Sequence, residues 1–310
     1  MPILNRKLFF AIIILAIVFA VGYFFSTRIS KTVEQNGRIR IVTSFYPLSY
    51  IANAVGGNIV SVQNLVSLGA EPHDFEPTPR DFINIGEADI LIYNGASFEP
   101  WVKKWTEGSF ERPQQIINMA EALEESKVTL LKKNNATDPH FWLDPLIVRK
   151  EVEIVRDVLT QIDPAHRDIL VNNAERLISD LDILDRNFRE GLAVCSLRET
   201  IVLHEAFSYL ARQYKFKVTG IAGISPDEEP SPKELARIIT LVREKGVKYI
   251  FSETVASPKF SELIARETGG TTLVLNPIES LTPDEVQWGE DYISIMRKNL
   301  NNLRKAMVCN

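Results

Sequence analysis

From Arg38 onward, short apolar runs alternate with segments whose apolar residues recur every three or four positions, and the alternation breaks only once. Arg38–Ser44 reads as a strand. After Pro47, the residues Leu48, Ile51, Ala52 and Val55 fall at helical spacing until Gly56 and Gly57 close the turn. Ile59–Val66 and Ala88–Asn94 read as further strands, with a short helix over Asp81–Gly86 between them. Later, strands over Thr200–Leu203, Phe216–Ile221, Lys248–Ser252 and Thr271–Leu275 alternate with helices over Glu205–Gln213, Ser231–Lys245 and Pro258–Thr268. A final helix is expected from Asp284 to about Ala306. Such alternation builds parallel sheets, because each strand needs a crossover to return in the same direction.

The break runs from Pro164 to Gly191, where no strand signal occurs. Asp163 can cap, Pro164 suits a first helical position, and Ile169, Leu170, Ala174, Leu177, Leu181 and Leu184 follow at three- and four-residue steps. One helix of about 27 residues would be roughly 40 Å long. The expected architecture is α/β: a first lobe over residues 38–163, a connecting helix over 164–190 and a second lobe over 191–310. A length of 310 residues suits two domains.

Residues 1–37 read differently. Leu8–Phe25 is an unbroken apolar or small-residue run flanked by Arg6, Lys7, Arg28 and Lys31. Its length approaches a bilayer core and exceeds the usual apolar region of a cleavable signal. Either as membrane anchor or as signal, followed by a polar tether, it places the remaining body outside the cytoplasm. In that compartment the only two cysteines, Cys195 and Cys309, are expected to form one bridge tying the last helix to the start of the second lobe. The net charge of −5, with no basic block longer than a pair such as Lys132-Lys133, argues against nucleic acid.

Four histidines are present. His166 falls in the first turn of the long helix and reads as a surface residue. The others sit where ligands bind in open parallel sheets, on loops or beyond strand ends. His73 lies in the proline-punctuated Gly69-Ala-Glu-Pro-His-Asp-Phe-Glu-Pro-Thr-Pro79. His140 lies in Asp138-Pro-His-Phe-Trp-Leu-Asp-Pro145. His204 directly follows the apolar strand ending at Leu203. Imidazole is a common ligand for zinc and other transition metals.

These segments, with Val42-Thr-Ser-Phe-Tyr-Pro-Leu48, Ala88-Asp-Ile-Leu-Ile-Tyr-Asn-Gly95, His204-Glu-Ala-Phe-Ser-Tyr209 and Ile250-Phe-Ser-Glu253, occur in order over nearly the whole exported body. The chain resembles the solute-binding proteins of metal ABC transporters, the zinc and manganese receptors. The resemblance implies two Rossmann-like lobes on a rigid backbone helix, with the metal sealed between them. It implies ligand roles for His73, His140 and His204, an ABC permease as partner, and a monomeric receptor rather than an enzyme. Where many relatives carry a fourth, carboxylate ligand, this chain reads Asn276, so Asn276 or Glu253 is expected to complete the site. Residues 121–137 hold no histidine, unlike the His-rich loop of many zinc receptors. A His-dominated site favours zinc over manganese, and Asn276→Asp is expected to narrow that preference. The alternatives are a surface adhesin on the same scaffold and a zinc-dependent hydrolase. The His-Glu-x-x-His pattern that His204-Glu205 begins fails at Ser208, and no Gly-x-Ser-x-Gly elbow occurs.

Overall fold

The computed structural model describes residues 37–310 other than 134 and 227. The apolar run Leu8–Phe25 and the tether lie outside the described residues. Among the described residues, no helix is long and apolar enough to cross a membrane.

The first lobe contains β1 (Ile39–Thr43), α1 (Tyr46–Gly56), β2 (Val60–Asn64), α2 (Pro79–Glu87), β3 (Ile90–Tyr93), α3 (Trp101–Glu107), β4 (Gln115–Asn118) and α4 (Met119–Glu125). Its sheet is parallel, in the order β2-β1-β3-β4, with Ile41 opposite Ile90 and Val42 opposite Leu91. A small antiparallel hairpin, β5 (Lys132–Lys133) and β6 (Ala136–Thr137), leads to α5 (Pro145–Ile162) and then α6 (Arg167–Gly191). The second lobe contains β7 (Glu199–Val202), α7 (Ser208–Tyr214), β8 (Lys217–Gly220), α8 (Pro232–Lys245), β9 (Tyr249–Ser252), α9 (Lys259–Thr268), β10 (Thr271–Val274), α10 (Pro283–Gln287) and α11 (Tyr292–Met307). Its parallel order, β8-β7-β9-β10, repeats that of the first lobe.

The two-residue period of a strand, with a layer packed on each face, explains why the central strands β1, β3, β7 and β9 are mostly buried. On one face of the first sheet, Val42 and Leu91 pack with Phe82, Ile85, Trp101 and Trp105. On the other, Ile41, Ile90 and Ile92 pack with Leu48, Ile51 and Val55 of α1. The second sheet divides likewise. Ile201 and Ile250 meet Ile238, Val242 and Ile264, while Val202 and Phe251 join the same cluster as Ile41. That cluster continues through Leu177, Leu184 and Phe188 of α6 to Met296 and Leu303 of α11, so one core runs through both lobes.

Three expectations change. The long helix opens with a 3-10 turn at Pro164–His166, where the Asp163 carboxylate accepts from His166 Nδ1 at 2.6 Å. It does not stand alone: α5, with its stripe of Val148, Val152, Val155 and Leu159, shares the connecting layer with it. The expected last helix is two helices. Gly289 adopts φ +71, a left-handed turn that ends α10, and Asp291 starts α11 with its own capping box. Cys195 and Cys309 are disulfide-bonded and face each other as an isolated antiparallel pair.

Candidate metal centre

The loop from Leu65 to Thr78 carries His73. Gly69, at φ +72, makes the turn at its start. The Gly69 N–H donates across to the second lobe, to Leu281 O at 2.8 Å and Ser280 Oγ at 3.1 Å. Glu71 then accepts the His73 N–H at 3.1 Å. Burial, reinforced by Glu279, pushes the Glu71 carboxyl up to about 8.

His140 is fixed twice by one carboxylate. Asp138 Oδ1 accepts from the His140 N–H at 3.0 Å and from Nδ1 at 2.9 Å. Asn94 Nδ2 donates to Pro139 O at 3.0 Å, pinning the loop to the end of β3. His204 follows β7 and donates from Nδ1 to Glu253 Oε1 at 2.7 Å. Both imidazoles therefore have a carboxylate on Nδ1, which orients the ring and leaves Nε2 for a ligand.

Glu279 comes from the loop after β10. There Asn276 Oδ1 accepts the Ile278 N–H at 2.7 Å, and Ile278 is held at φ +60. A β-branched residue in the left-handed region is strained, and such strain persists where surroundings impose it. Asn276 is held in turn by Asn299 and Glu285 through bonds of 2.7–2.9 Å.

These loops bring four donors together. Glu279 Oε1 lies 3.5 Å from His73 Nε2, 3.6 Å from His140 Nε2 and 3.3 Å from His204 Nε2. The Nε2 atoms of His73 and His140 are 3.4 Å apart, and all four donors fall within 4.8 Å of one another. Nitrogen and oxygen ligands about 2.0–2.2 Å from a tetrahedral zinc would sit roughly 3.3–3.6 Å apart, so the spacing suits that ion. His204 Nε2 and Glu279 Oε1 are buried without a hydrogen-bond partner, as expected for atoms that serve a ligand. The ring centres of Phe98 and His73 lie 4.7 Å apart in a T-shaped contact, and those of Trp142 and His140 lie 5.1 Å apart.

The electrostatics follow from burial and pairing. Burial opposes charge on Glu279, but His204 and His73 outweigh it and hold its carboxyl well below the ordinary range. Burial pushes His140 down, towards the neutral form a metal requires. Burial also disfavours charge on His204, yet Glu253 and Glu279 raise it well above its usual value.

The structure brings His73, His140 and His204 together, but neither Glu253 nor Asn276 joins them. Glu253 is engaged on the far nitrogen of His204, and Asn276 uses both side-chain atoms to shape the turn. Glu279 takes the place expected of them. Its signal was present: an acid three residues past Asn276, in a loop beyond a strand end. His166 is remote from this group, half-exposed and paired with Asp163.

Residues 41–306 match the family described as ZnuA, zinc-uptake complex component A, periplasmic. The high-affinity zinc uptake system protein ZnuA of Bacillus subtilis is 35% identical over 285 residues, spanning 89% of each chain. The Zn(II)-bound ZnuA-like domain of Streptococcus pneumoniae AdcA is 35% identical, with a TM-score of 0.76 over 87% of this chain and 99% of that one. The full zinc-binding lipoprotein AdcA of that organism is longer, and the chain spans 58% of it. The laminin-binding protein Lmb of Streptococcus agalactiae, described as having adhesin and metal transporting activity, is 30% identical, with a TM-score of 0.77 over 87% of this chain and 99% of that one. With its two like-ordered parallel sheets, its long connecting helices and a His-rich donor group at their junction, the chain belongs to the periplasmic zinc-uptake component A family.

Proposed function

We propose that this chain is an extracytoplasmic zinc receptor that holds the ion between its lobes through His73, His140, His204 and Glu279 and passes it to an ABC permease. The observation that carries the reading is the convergence of three imidazoles and one carboxylate, two of whose donor atoms are buried and unpartnered. Three nitrogens and one oxygen suit zinc better than manganese, which favours oxygen ligands and higher coordination. A fully protein-ligated tetrahedron leaves no open position for a reactive water, so binding without hydrolysis is the expected behaviour. The metal centre accounts for the family likeness without an adhesive function, and transport is the favoured reading. In this proposal the apolar run Leu8–Phe25 is a signal or anchor, and the body works as a monomer at the membrane surface.

Metal analysis and zinc–manganese competition on the purified protein test this. One zinc per chain is expected, bound more tightly than manganese, with no peptidase or esterase turnover. Replacing His73, His140, His204 or Glu279 singly by Ala should weaken binding severely while the metal-free protein stays folded. Equal or tighter manganese binding would overturn the zinc assignment, and near-normal binding in one variant would remove that residue from the site.

A further inference from the structure

The β5–β6 hairpin has an irregularity at its base. Lys132 pairs with Thr137 and Lys133 with Ala136, so Leu131 and Asp138 form the next pair. In an antiparallel ladder such a pair exchanges two backbone hydrogen bonds. One is made: Asp138 N–H donates to Leu131 O at 2.9 Å. The other is interrupted by a side chain from the opposite lobe. The Tyr209 hydroxyl accepts the Leu131 N–H at 2.9 Å and donates to Asp138 O at 2.8 Å. It stands where a direct Leu131-to-Asp138 bond would otherwise form.

Both ends of this splice lead to the metal centre. Asp138 orients His140 through its carboxylate, and Tyr209 lies on α7, one short turn after His204. The hairpin is tied to the same segment again by the Lys133–Glu205 ion pair, and the chain leading into it by Arg212 Nη1, which donates to Thr129 O at 3.3 Å. We propose that Tyr209 is a positioning residue: its hydroxyl holds the hairpin base open and so registers the His140 loop of one lobe against the His204 segment of the other. This deepens the zinc-receptor reading and rests on it. Without the hydroxyl, Leu131 N–H can bond directly to Asp138 O. The ladder closes, no backbone group is left unpaired, and Asp138 shifts together with the imidazole it orients.

The test compares zinc release from the unmodified protein, Tyr209→Phe and Tyr214→Phe, using a competing chelator. Phe keeps the buried ring against Phe141 and under the Arg212 guanidinium. Tyr214 is the control. It is on the same helix and also spends a buried hydroxyl, on Asp185 at 3.1 Å, but away from the donors. Loss of the two Tyr209 bonds is expected to speed zinc release roughly tenfold. The metal-free Tyr209→Phe protein should melt within about 3 °C of the unmodified one, because the ladder closes. Tyr214→Phe should release zinc at the normal rate. Normal release from Tyr209→Phe, equal acceleration in both variants, or a Tyr209→Phe protein that fails to fold would overturn the proposal. Failure of the unmodified protein to bind zinc would instead overturn the reading of the site, and is seen without any variant.

Discussion

Glu279 contributes the negative charge in a set of donors otherwise made of imidazoles. Glu279→Gln should keep the shape of the loop and weaken zinc by more than tenfold in a direct titration, since a neutral amide replaces a charge-assisted ligand. Asn276→Asp becomes a different experiment from the one the sequence suggests. The new carboxylate would lose the Nδ2 bond to Glu285 Oε1 and face that acid across 2.9 Å. The expected result is a loop destabilised by about 1–3 kcal/mol and weaker zinc binding, with no gain for manganese. Glu151 is fully buried on α5 with both carboxylate oxygens unpartnered. Burial pushes its carboxyl up to about 8. The folded protein therefore favours the protonated acid. Stability is full below the ordinary value near 4.5 and falls as pH rises towards 8. Glu151→Gln should flatten that decline and gain roughly 3 kcal/mol at pH 7, read from denaturant midpoints between pH 5 and 8.

Among the elements, the disulfide makes the clearest case. It joins the segment before β7 to the residues after α11, while the metal donors lie beyond the opposite ends of the strands. Closing a loop of 114 residues contributes about 4–5 kcal/mol at most in the chain-entropy account. Reduction, or the double replacement Cys195→Ser with Cys309→Ser, should lower the denaturant midpoint accordingly and leave zinc affinity unchanged. A large loss of zinc binding would mean that the bridge shapes the site. Element boundaries were legible where a start signal met a clean period, as at Ser231-Pro232 and along α6. The signals of α5, Asp144-Pro145 and its apolar stripe, are equally readable, but Asp144 and Pro145 also close the His140 motif, and a linear chain does not show that they start a helix as well. The split of α10 from α11 was not legible, because one glycine in a helical pattern does not reveal its φ.

Over the whole molecule, the shared core and the bonds across the cleft do the joining. Trp142 Nε1 donates to Pro277 O at 2.8 Å, Tyr292 Oη donates to Trp142 O at 2.6 Å, and Gly69 reaches Leu281. None of these needs a metal. The metal-free protein should therefore unfold in one cooperative transition, and zinc at a hundred times its Kd should add about 2.7 kcal/mol. Two calorimetric transitions would contradict a continuous core. The sequence alone determined the alternation of strands and helices, both parallel lobes, the long helix and the cysteine pair, and its resemblance to metal receptors singled out the three histidines. Each of these rests on local periodicity, on residue type or on scarcity, which a linear chain displays. Only tertiary structure separates the candidates for a fourth donor. Glu253, Asn276 and Glu279 are all oxygen-bearing residues near strand ends, and nothing local separates them. Only the packed loops do so, by spending Glu253 on the His204 ring and Asn276 on a strained turn, which leaves Glu279 Oε1 buried, unpartnered and facing three imidazoles.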